Sequence, residues 1–363
     1  MNVVFRVDAA VHIGTGHVMR CMSIARALKL RGVVSTFIMR DHPGHLKSFV
    51  EGEGFEATLL PAPHDTPDTT GQCGHAAWLG VDWQTDAEQT MQACGSKEVD
   101  WLIVDHYGID QSWEAALSAV ANRILVIDDL ADRGHLCDAL LDQTYLRDEA
   151  AYARLVPRQC RLLLGSAFAL LRPEFAALRQ VSISRRQLPA DSFKLLITLG
   201  GIDQYNVTTT TLQALQTASL PSNTELTVLM GTQAPWKADV QAFARSMKWP
   251  THVIVGADNV GELMASSDLA IGAAGGTSWE RCCLGLPTVM LVLAENQSEI
   301  AVKLRDALAV SLIPQLADLP SVLPNLIERL VTDRKLLGEM SDHAARIVDG
   351  RGIERVVNYL EQP

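Results

Sequence analysis

The sequence predicts an α/β protein made of two Rossmann-like, doubly wound domains facing a central cleft. Three observations carry that expectation. Short, almost wholly apolar runs rich in Val, Ile and Leu alternate with helix-length segments from end to end, as in parallel sheets covered on both faces. The alternation restarts once, after a charged stretch without strand character between Arg172 and Asp191. Each half also opens with a strand, a glycine loop and a helical pattern, an architectural echo rather than a sequence repeat. In open α/β sheets ligands lie beyond the strand C-termini, so two such domains facing each other would place both sets of strand ends on one cleft.

The length of 363 residues suits two domains, and 48% hydrophobic residues supply a large core. Forty-two acidic against 31 basic residues give a net charge of -11. That balance disfavours nucleic acid or anionic membrane surfaces as partners. A small molecule is the expected partner, with any phosphate held by local amides. The seven cysteines contain no C-x-x-C, and Cys282-Cys283 is their one close pair, so neither a disulfide framework nor a zinc knuckle is indicated. No metal and no cofactor are expected. The N-terminus lacks a basic region followed by a long apolar run, and no stretch approaches a membrane span. The chain reads as a reduced, cytoplasmic protein.

Taken in order, the strands expected in the first half are Val3–Val7, Ser35–Met39, Ala57–Leu60, Trp101–Asp105, Arg123–Ile127, Ala139–Leu141 and Arg161–Leu164. Those of the second half are Lys194–Leu199, Glu225–Met230, His252–Val255, Leu269–Gly272, Thr288–Leu293 and Ser311–Pro314. This puts one domain at 1–175 and a second at 190–350. A last helical pattern within 351–363 could cross back to the first domain. Pro61 to Gly80 is a long loop of Pro, Gly, His, Asp and Thr, the kind that carries function. Its His64 and His75 have no metal-ligand spacing.

The first strand runs into Gly14-Thr15-Gly16-His17-Val18-Met19-Arg20-Cys21. Val18, Cys21, Met22, Ala25 and Leu28 then form the apolar stripe of a helix packed on a sheet. His17 therefore sits at a helix N-terminus, where the dipole disfavours the cationic ring. A neutral imidazole there can take a proton from water. The same placement also fits a histidine that merely caps or packs on the helix.

A second signal is Gly272-Ala273-Ala274-Gly275-Gly276-Thr277-Ser278-Trp279-Glu280-Arg281, which follows a strand and opens a helix. Glycines there let a diphosphate lie against the backbone, with the N–H groups of Gly276, Thr277 and Ser278 pointing at it. Glu280 could accept hydrogen bonds from ribose hydroxyls, or simply complement the dipole. Gly200-Gly201 is another backbone turn, with Asn206 placed to cap the next helix. Polar clusters follow three strands: Asp105-His106-Tyr107-Gly108, then Asp128-Asp129 with Asp132-Arg133-Gly134-His135, and Asn296-Gln297. There is no D-x-D, no G-x-G-x-x-G followed by a suitable acid, and no P-loop.

These motifs together resemble the family of UDP-2,4-diacetamido-2,4,6-trideoxy-β-L-altropyranose hydrolases, which release nucleotide in pseudaminic acid biosynthesis for flagellin or surface glycan modification. The resemblance rests on Arg6-Val7-Asp8, on Ile13 to Cys21, and on Asp105-His106-Tyr107-Gly108 and Asp128 to Arg133. It continues at Leu199-Gly200-Gly201, Gly275 to Glu280 and Asn296-Gln297. It implies a GT-B type fold, with UDP held by the C-terminal domain. By motif it implies His17 as the base that activates water, and Tyr107 and Asn296 as contacts to sugar or water. Asp8, Gly14, Thr15, Gly16, Arg20, Arg133 and Gln297 would line the substrate site. Gly200, Gly201, Gly275, Gly276, Thr277 and Ser278 would hold UDP, and Glu280 its ribose. The sequence departs from the family at Ile202-Asp203-Gln204-Tyr205-Asn206, where a proline is expected before the Asn, and in the length of the 61–80 loop. The implied reaction is hydrolysis of a UDP-sugar with inversion. A GT-B glycosyltransferase using an acceptor hydroxyl, and a sugar-nucleotide binding module without turnover, are the competing readings.

Overall fold

The computed structural model describes residues 1–63, 75–96, 98–188 and 191–362. His64 and most of the 61–80 loop fall outside them. The chain forms two compact units, Met1–Leu170 with Arg351–Pro363, and Leu171–Gly350.

The first unit contains β1 (Asn2–Val7), α1 (Gly16–Leu30), β2 (Val34–Arg40), α2 (Lys47–Gly52), β3 (Glu56–Leu60), α3 (Trp83–Cys94), β4 (Val99–Asp105), α4 (Gln111–Leu117), β5 (Ala121–Ile127), β6 (Ala139–Asp142) and β7 (Arg161–Leu164). The strands pair in parallel in the order β3-β2-β1-β4-β5-β6-β7. The order reverses between β1 and β4, which makes the ends of these two strands the place where a ligand crevice opens. Val18, Cys21, Met22, Ala25 and Leu28 of α1 are fully buried, the stripe expected from their spacing.

The second unit runs α5 (Pro173–Arg186), β8 (Phe193–Thr198), α6 (Val207–Gln216), β9 (Thr224–Met230), α7 (Lys237–Ala244), β10 (Thr251–Val255), α8 (Val260–Ala265), β11 (Leu269–Ala273), α9 (Thr277–Cys283), β12 (Thr288–Leu291), α10 (Ser298–Asp306), β13 (Val310–Ile313), α11 (Leu319–Thr332) and α12 (Arg334–Ile347). Its parallel sheet has the order β10-β9-β8-β11-β12-β13. Here the reversal lies between β8 and β11, the strands that lead into the two glycine loops.

The charged stretch between Arg172 and Asp191, which the sequence leaves as the connection between the two expected domains, is instead largely α5, and the break between units falls after Leu170. Residues 171–175 thus lie with the second unit, not with the first. The physical reason is that α5 is held by arginines rather than by an apolar stripe, with only Phe175 and Ser182 buried. Arg186 Nη1 donates to the Leu284 carbonyl at 2.6 Å and Nε to that of Ser267 at 2.9 Å. Arg179 binds the carbonyls of Cys283 and Ala345, each at 2.5 Å.

The last helix, α13 (Gly352–Leu360), packs on α1 in the first unit. Val356, Val357 and Leu360 enter its core with no exposure, and the Trp101 indole N–H donates to the Leu360 carbonyl at 3.0 Å. Among the described residues no helix is long and apolar enough to cross a membrane, and the described cysteines are free thiols.

Leu360→Ala opens a hole at this junction. It should lower unfolding stability by about 2–5 kcal/mol in denaturant titration. A loss under about 0.5 kcal/mol would mean that α13 is not part of the first unit's cooperative core.

Candidate active site

At the β1/β4 reversal, the turn after β1 brings His17 to the second position of α1, with Arg20 three residues on and on the same helix face. Both meet Asp105, the last residue of β4. His17 Nδ1 lies 2.6 Å from Asp105 Oδ1. Arg20 grips the same carboxylate bidentately, with Nε to Oδ2 and Nη2 to Oδ1, both at 2.6 Å. Its Nη1 reaches Asp129 Oδ2 at 3.1 Å. Asp129 Oδ1 in turn accepts the hydroxyl proton of Tyr107. The Tyr107 ring stands edge-to-face against the imidazole, 4.6 Å between centroids at 86°.

The electrostatics follow from burial and charge. Asp105 is fully buried, which opposes its charge, yet Arg20 and then His17 outweigh this and hold it well below the usual carboxylate range. Burial, then the charge of Asp129, pushes the Tyr107 phenol well above its ordinary value. An anionic carboxylate on Nδ1 fixes the neutral ring with its proton there and leaves the Nε2 lone pair outward. Nε2 has no hydrogen-bond partner among the described residues, and the side chain is 11% exposed. The arrangement suits a general base.

Two residues expected to touch substrate, Asp8 and Arg133, have other work. Asp8 is sealed inside the first unit. Its Oδ1 accepts from Arg6 Nη1 at 2.7 Å and from the Arg40 amide at 2.6 Å. Arg6 and Arg40 also bind Asp86, which takes the Trp113 indole N–H as well. Asp8 is therefore the anion of a buried network rather than a substrate contact. Arg133 is likewise spent, with Nε on the Ile109 carbonyl at 2.7 Å and Nη1 on Asp128 and Asp132 at 2.8 and 2.9 Å. It braces the loop after β5.

Asp8 Oδ2 faces His106 Nε2 at 3.3 Å and His42 Nε2 at 3.9 Å, a convergence that invites a metal. His106 Nδ1, however, accepts the Gly108 amide at 3.0 Å. Its ring proton consequently sits on Nε2, toward Asp8, where a metal would need a lone pair. Among the described residues no group of three or more His, Cys, Asp or Glu could hold an ion. Gly14 closes the preceding turn in the left-handed region, at φ +84°, its amide donating to the Ala10 carbonyl at 2.8 Å. Thr15 and Gly16 are exposed.

In the second unit the loop after β11 is exposed at Gly276 and half-buried at Gly275. The amides of Gly276 and Thr277 find no acceptor among the described residues. Ser278 differs from expectation: its N–H is bound to the Gly275 carbonyl at 2.9 Å. Its hydroxyl is buried against Arg281 Nη2 at 3.2 Å, so Ser278 turns inward. Arg281 braces this loop from behind, binding the Ala273 carbonyl at 2.6 Å and Thr277 Oγ1 at 2.9 Å. A Cβ at Gly272 would lie 2.7 Å from that guanidinium, which explains the glycine. Gln297 Oε1 accepts the Leu293 amide at 3.0 Å, and its Nε2 lies beside Gly275. Asn296 is exposed on the same short turn.

The Gly200-Gly201 turn is less open to an anion than its glycines suggest. The first amides of α6 are already taken by Asp203, at 2.8 Å to Val207 and 2.9 Å to Thr208, with Asn206 capping Thr209. Gly201 instead packs its carbonyl where a Gly231 side chain would begin.

Glu280 is half-buried and has no hydrogen-bond donor among the described residues; Arg172 Nη2 is 3.9 Å away. Burial pushes its carboxyl up to about 7, against the opposing charges of Arg172 and Arg281. A ligand offering two hydroxyl donors would satisfy it. The partnership of Asp105 and Asp129 with Arg20, and the bracing by Arg281, had no signature in sequence spacing. The nearest signal was that these acids end or follow strands.

The strain on Glu280 is testable through pH. The folded protein holds this proton more tightly than the unfolded chain, so the group costs stability as pH rises from about 4.5 to about 7. Glu280→Gln should gain stability relative to the parent across that window and keep the gain above it. Below about pH 4.5 the gain should vanish. Denaturation curves at pH 4 and pH 8 that shift equally would show that the carboxylate is unstrained.

Residues 195–355 match the model of the glycosyltransferase family 28 C-terminal domain. An uncharacterized protein of Methanocaldococcus jannaschii is 21% identical over 82% of this chain; the chain spans only 57% of that protein's length. The spore coat polysaccharide biosynthesis protein SpsG of Bacillus subtilis is 23% identical over 99% of this chain and 98% of its own. The UDP-2,4-diacetamido-2,4,6-trideoxy-β-L-altropyranose hydrolase of Campylobacter jejuni is 28% identical over 56% of this chain and 70% of its own. Among solved structures, Acinetobacter baumannii MurG superposes with a TM-score of 0.70 at 17% identity, covering 99% of both chains. The calicheamicin glycosyltransferase CalG4 gives 0.65 at 13% identity, over 99% of this chain and 97% of its own. The chain thus has the GT-B fold of these glycosyltransferases, and over part of its length it is similar in sequence to the altropyranose hydrolase.

Proposed function

We propose that the protein hydrolyses a UDP-linked 2,4-diacetamido-2,4,6-trideoxyhexose to the free sugar and UDP. The observation that carries this reading is His17, fixed through Nδ1 by the Asp105 carboxylate at 2.6 Å and open at Nε2. The relatives support action on a nucleotide sugar, and the likeness to the Campylobacter hydrolase supports water as the nucleophile.

In this mechanism His17 Nε2 removes a proton from water as its oxygen attacks the anomeric carbon. The C–O bond to the diphosphate breaks with inversion, and the electron pair leaves on the β-phosphate oxygen of UDP. Asp105 keeps the ring oriented and stabilises the imidazolium that forms. Tyr107 packs against the ring, and its proton is committed to Asp129. The free amides of Gly276 and Thr277 receive the diphosphate, Glu280 accepts from the ribose, and Asn296 contacts the sugar or the water, with Gln297 Nε2 beside Gly275.

The match to a glycosyltransferase domain favours one other reading, in which His17 deprotonates an acceptor hydroxyl. UDP release from the sugar nucleotide with no acceptor present separates the two. In oxygen-18 water the label should enter the sugar and not UDP. His17→Asn should lower turnover about 10²–10⁴-fold while UDP affinity, measured by calorimetry, stays within about twofold. Full activity in that variant would make His17 a packing residue and end the reading.

A further inference from the structure

We propose that Trp78, with His75 beside it, forms a stacking subsite next to His17 for the apolar face of an N-acylated pyranose. This deepens the hydrolase reading and rests on it for the identity of the sugar.

The segment that carries these rings is a single 3-10 turn, Ala76–Leu79. It is anchored from below: Ala76 and Leu79 are buried, at 2% and 1% exposure. Gly80 ends the turn in the left-handed region, at φ +75°, and a Cβ there would strike Pro63 and His42. On the other side, a Cβ on Gly108 would come within 2.8 Å of the His75 carbonyl. The turn is therefore fitted against the segment that follows β4 and bears Tyr107.

Besides the exposed Ala77, it presents two rings, His75 and Trp78, both half-buried. Their rings lie 4.8 Å apart, and Trp78 lies 5.5 Å from Tyr107 and 6.2 Å from His17. His75 also meets Tyr107, at 5.4 Å. Rings serving only the core would be sealed, as Trp101 and Trp113 are in this unit. Trp78 is not, and its indole N–H has no acceptor among the described residues.

The chemistry of such a surface is specific. A broad ring beside the base offers contact to the C–H face of a pyranose and to acyl or deoxy methyl groups, and its N–H can donate to an amide carbonyl. A water activated by His17 must reach the anomeric carbon, which puts the sugar ring within a few ångströms of this turn. Tyr107 commits its proton to Asp129 and His17 is held by Asp105, whereas Trp78 bonds neither carboxylate. The platform thus reads the sugar and leaves the proton transfer to His17.

The test compares two ligands in the His17→Asn background, which slows consumption of substrate about 10²–10⁴-fold. Affinities for UDP and for the UDP-linked diacetamido-trideoxyhexose are measured by calorimetry with and without Trp78→Ala. The sugar nucleotide should lose about tenfold in affinity while UDP stays within about twofold, and Trp78→Phe should recover most of the loss. His75→Ala gives the same comparison should Trp78→Ala fail to fold. An unchanged ratio of the two affinities, or an equal loss for both, overturns the platform. Sugar-dependent loss in a protein that never releases UDP would keep the platform and remove the hydrolase reading. Rapid UDP release that Trp78→Ala leaves untouched would do the reverse.

Discussion

The buried carboxylate of Asp105 is the interaction on which the first unit's site depends. An isolated carboxylate at full burial would take up a proton. Arg20 prevents this by gripping both oxygens, and the charge so preserved holds the imidazole. Arg20 needs a second anion for its remaining nitrogen and finds it in Asp129, which in turn takes the Tyr107 proton. Four elements thereby converge on one ring of contacts: α1, the end of β4, and the segments after β4 and β5. Removing one partner of such a buried pair leaves the other uncompensated, commonly at about 3–5 kcal/mol, so orientation of His17 and integrity of the fold are coupled.

The two units meet the same topological opportunity with different chemistry. The β1/β4 reversal is furnished with charged side chains that orient a proton acceptor. The β8/β11 reversal is furnished with backbone. There the groups left open are amides of Gly276 and Thr277, and the Arg281 guanidinium is buried behind the loop. Burial lowers Arg281 to about 10, which still leaves it cationic at neutral pH. A chain of net charge -11 can thus offer an anion a locally favourable place without an exposed basic patch.

Much of this was legible in the sequence, for identifiable reasons. Parallel strands buried on both faces are apolar throughout, so all the β-runs stood out; their ends shifted by a residue or two, as Thr288–Leu291 did against Thr288–Leu293. The stripe of α1 was visible for the same reason. α5 was not, because arginine-to-carbonyl bonds leave no periodic signal. Asp8, Arg133 and Ser278 show a different difficulty. A polar residue at a strand end or helix start has the same local signature whether its partner is a ligand or Arg6, Asp128 or Arg281. Those partners are chosen by the fold, and the partner of His17 lies 88 positions away in sequence.

The surroundings of His17 also bear on how much acid–base chemistry the first unit can hold. In the proposed reaction the diphosphate needs no proton to depart, so that reading calls for one base and for nothing nearby that competes with it. Two other titratable groups in contact with this cluster, Tyr107 and Cys21, are held in their protonated forms. Burial, then Asp129, raises the Tyr107 phenol, and burial, then Asp105, raises the Cys21 thiol. Both direct their protons at carboxylates, Tyr107 to Asp129 and Cys21 Sγ to Asp105 Oδ2 at 3.6 Å. The Nε2 of His17 has no partner among the described residues, and in the proposed reaction it is the open position that can accept a proton from an incoming nucleophile.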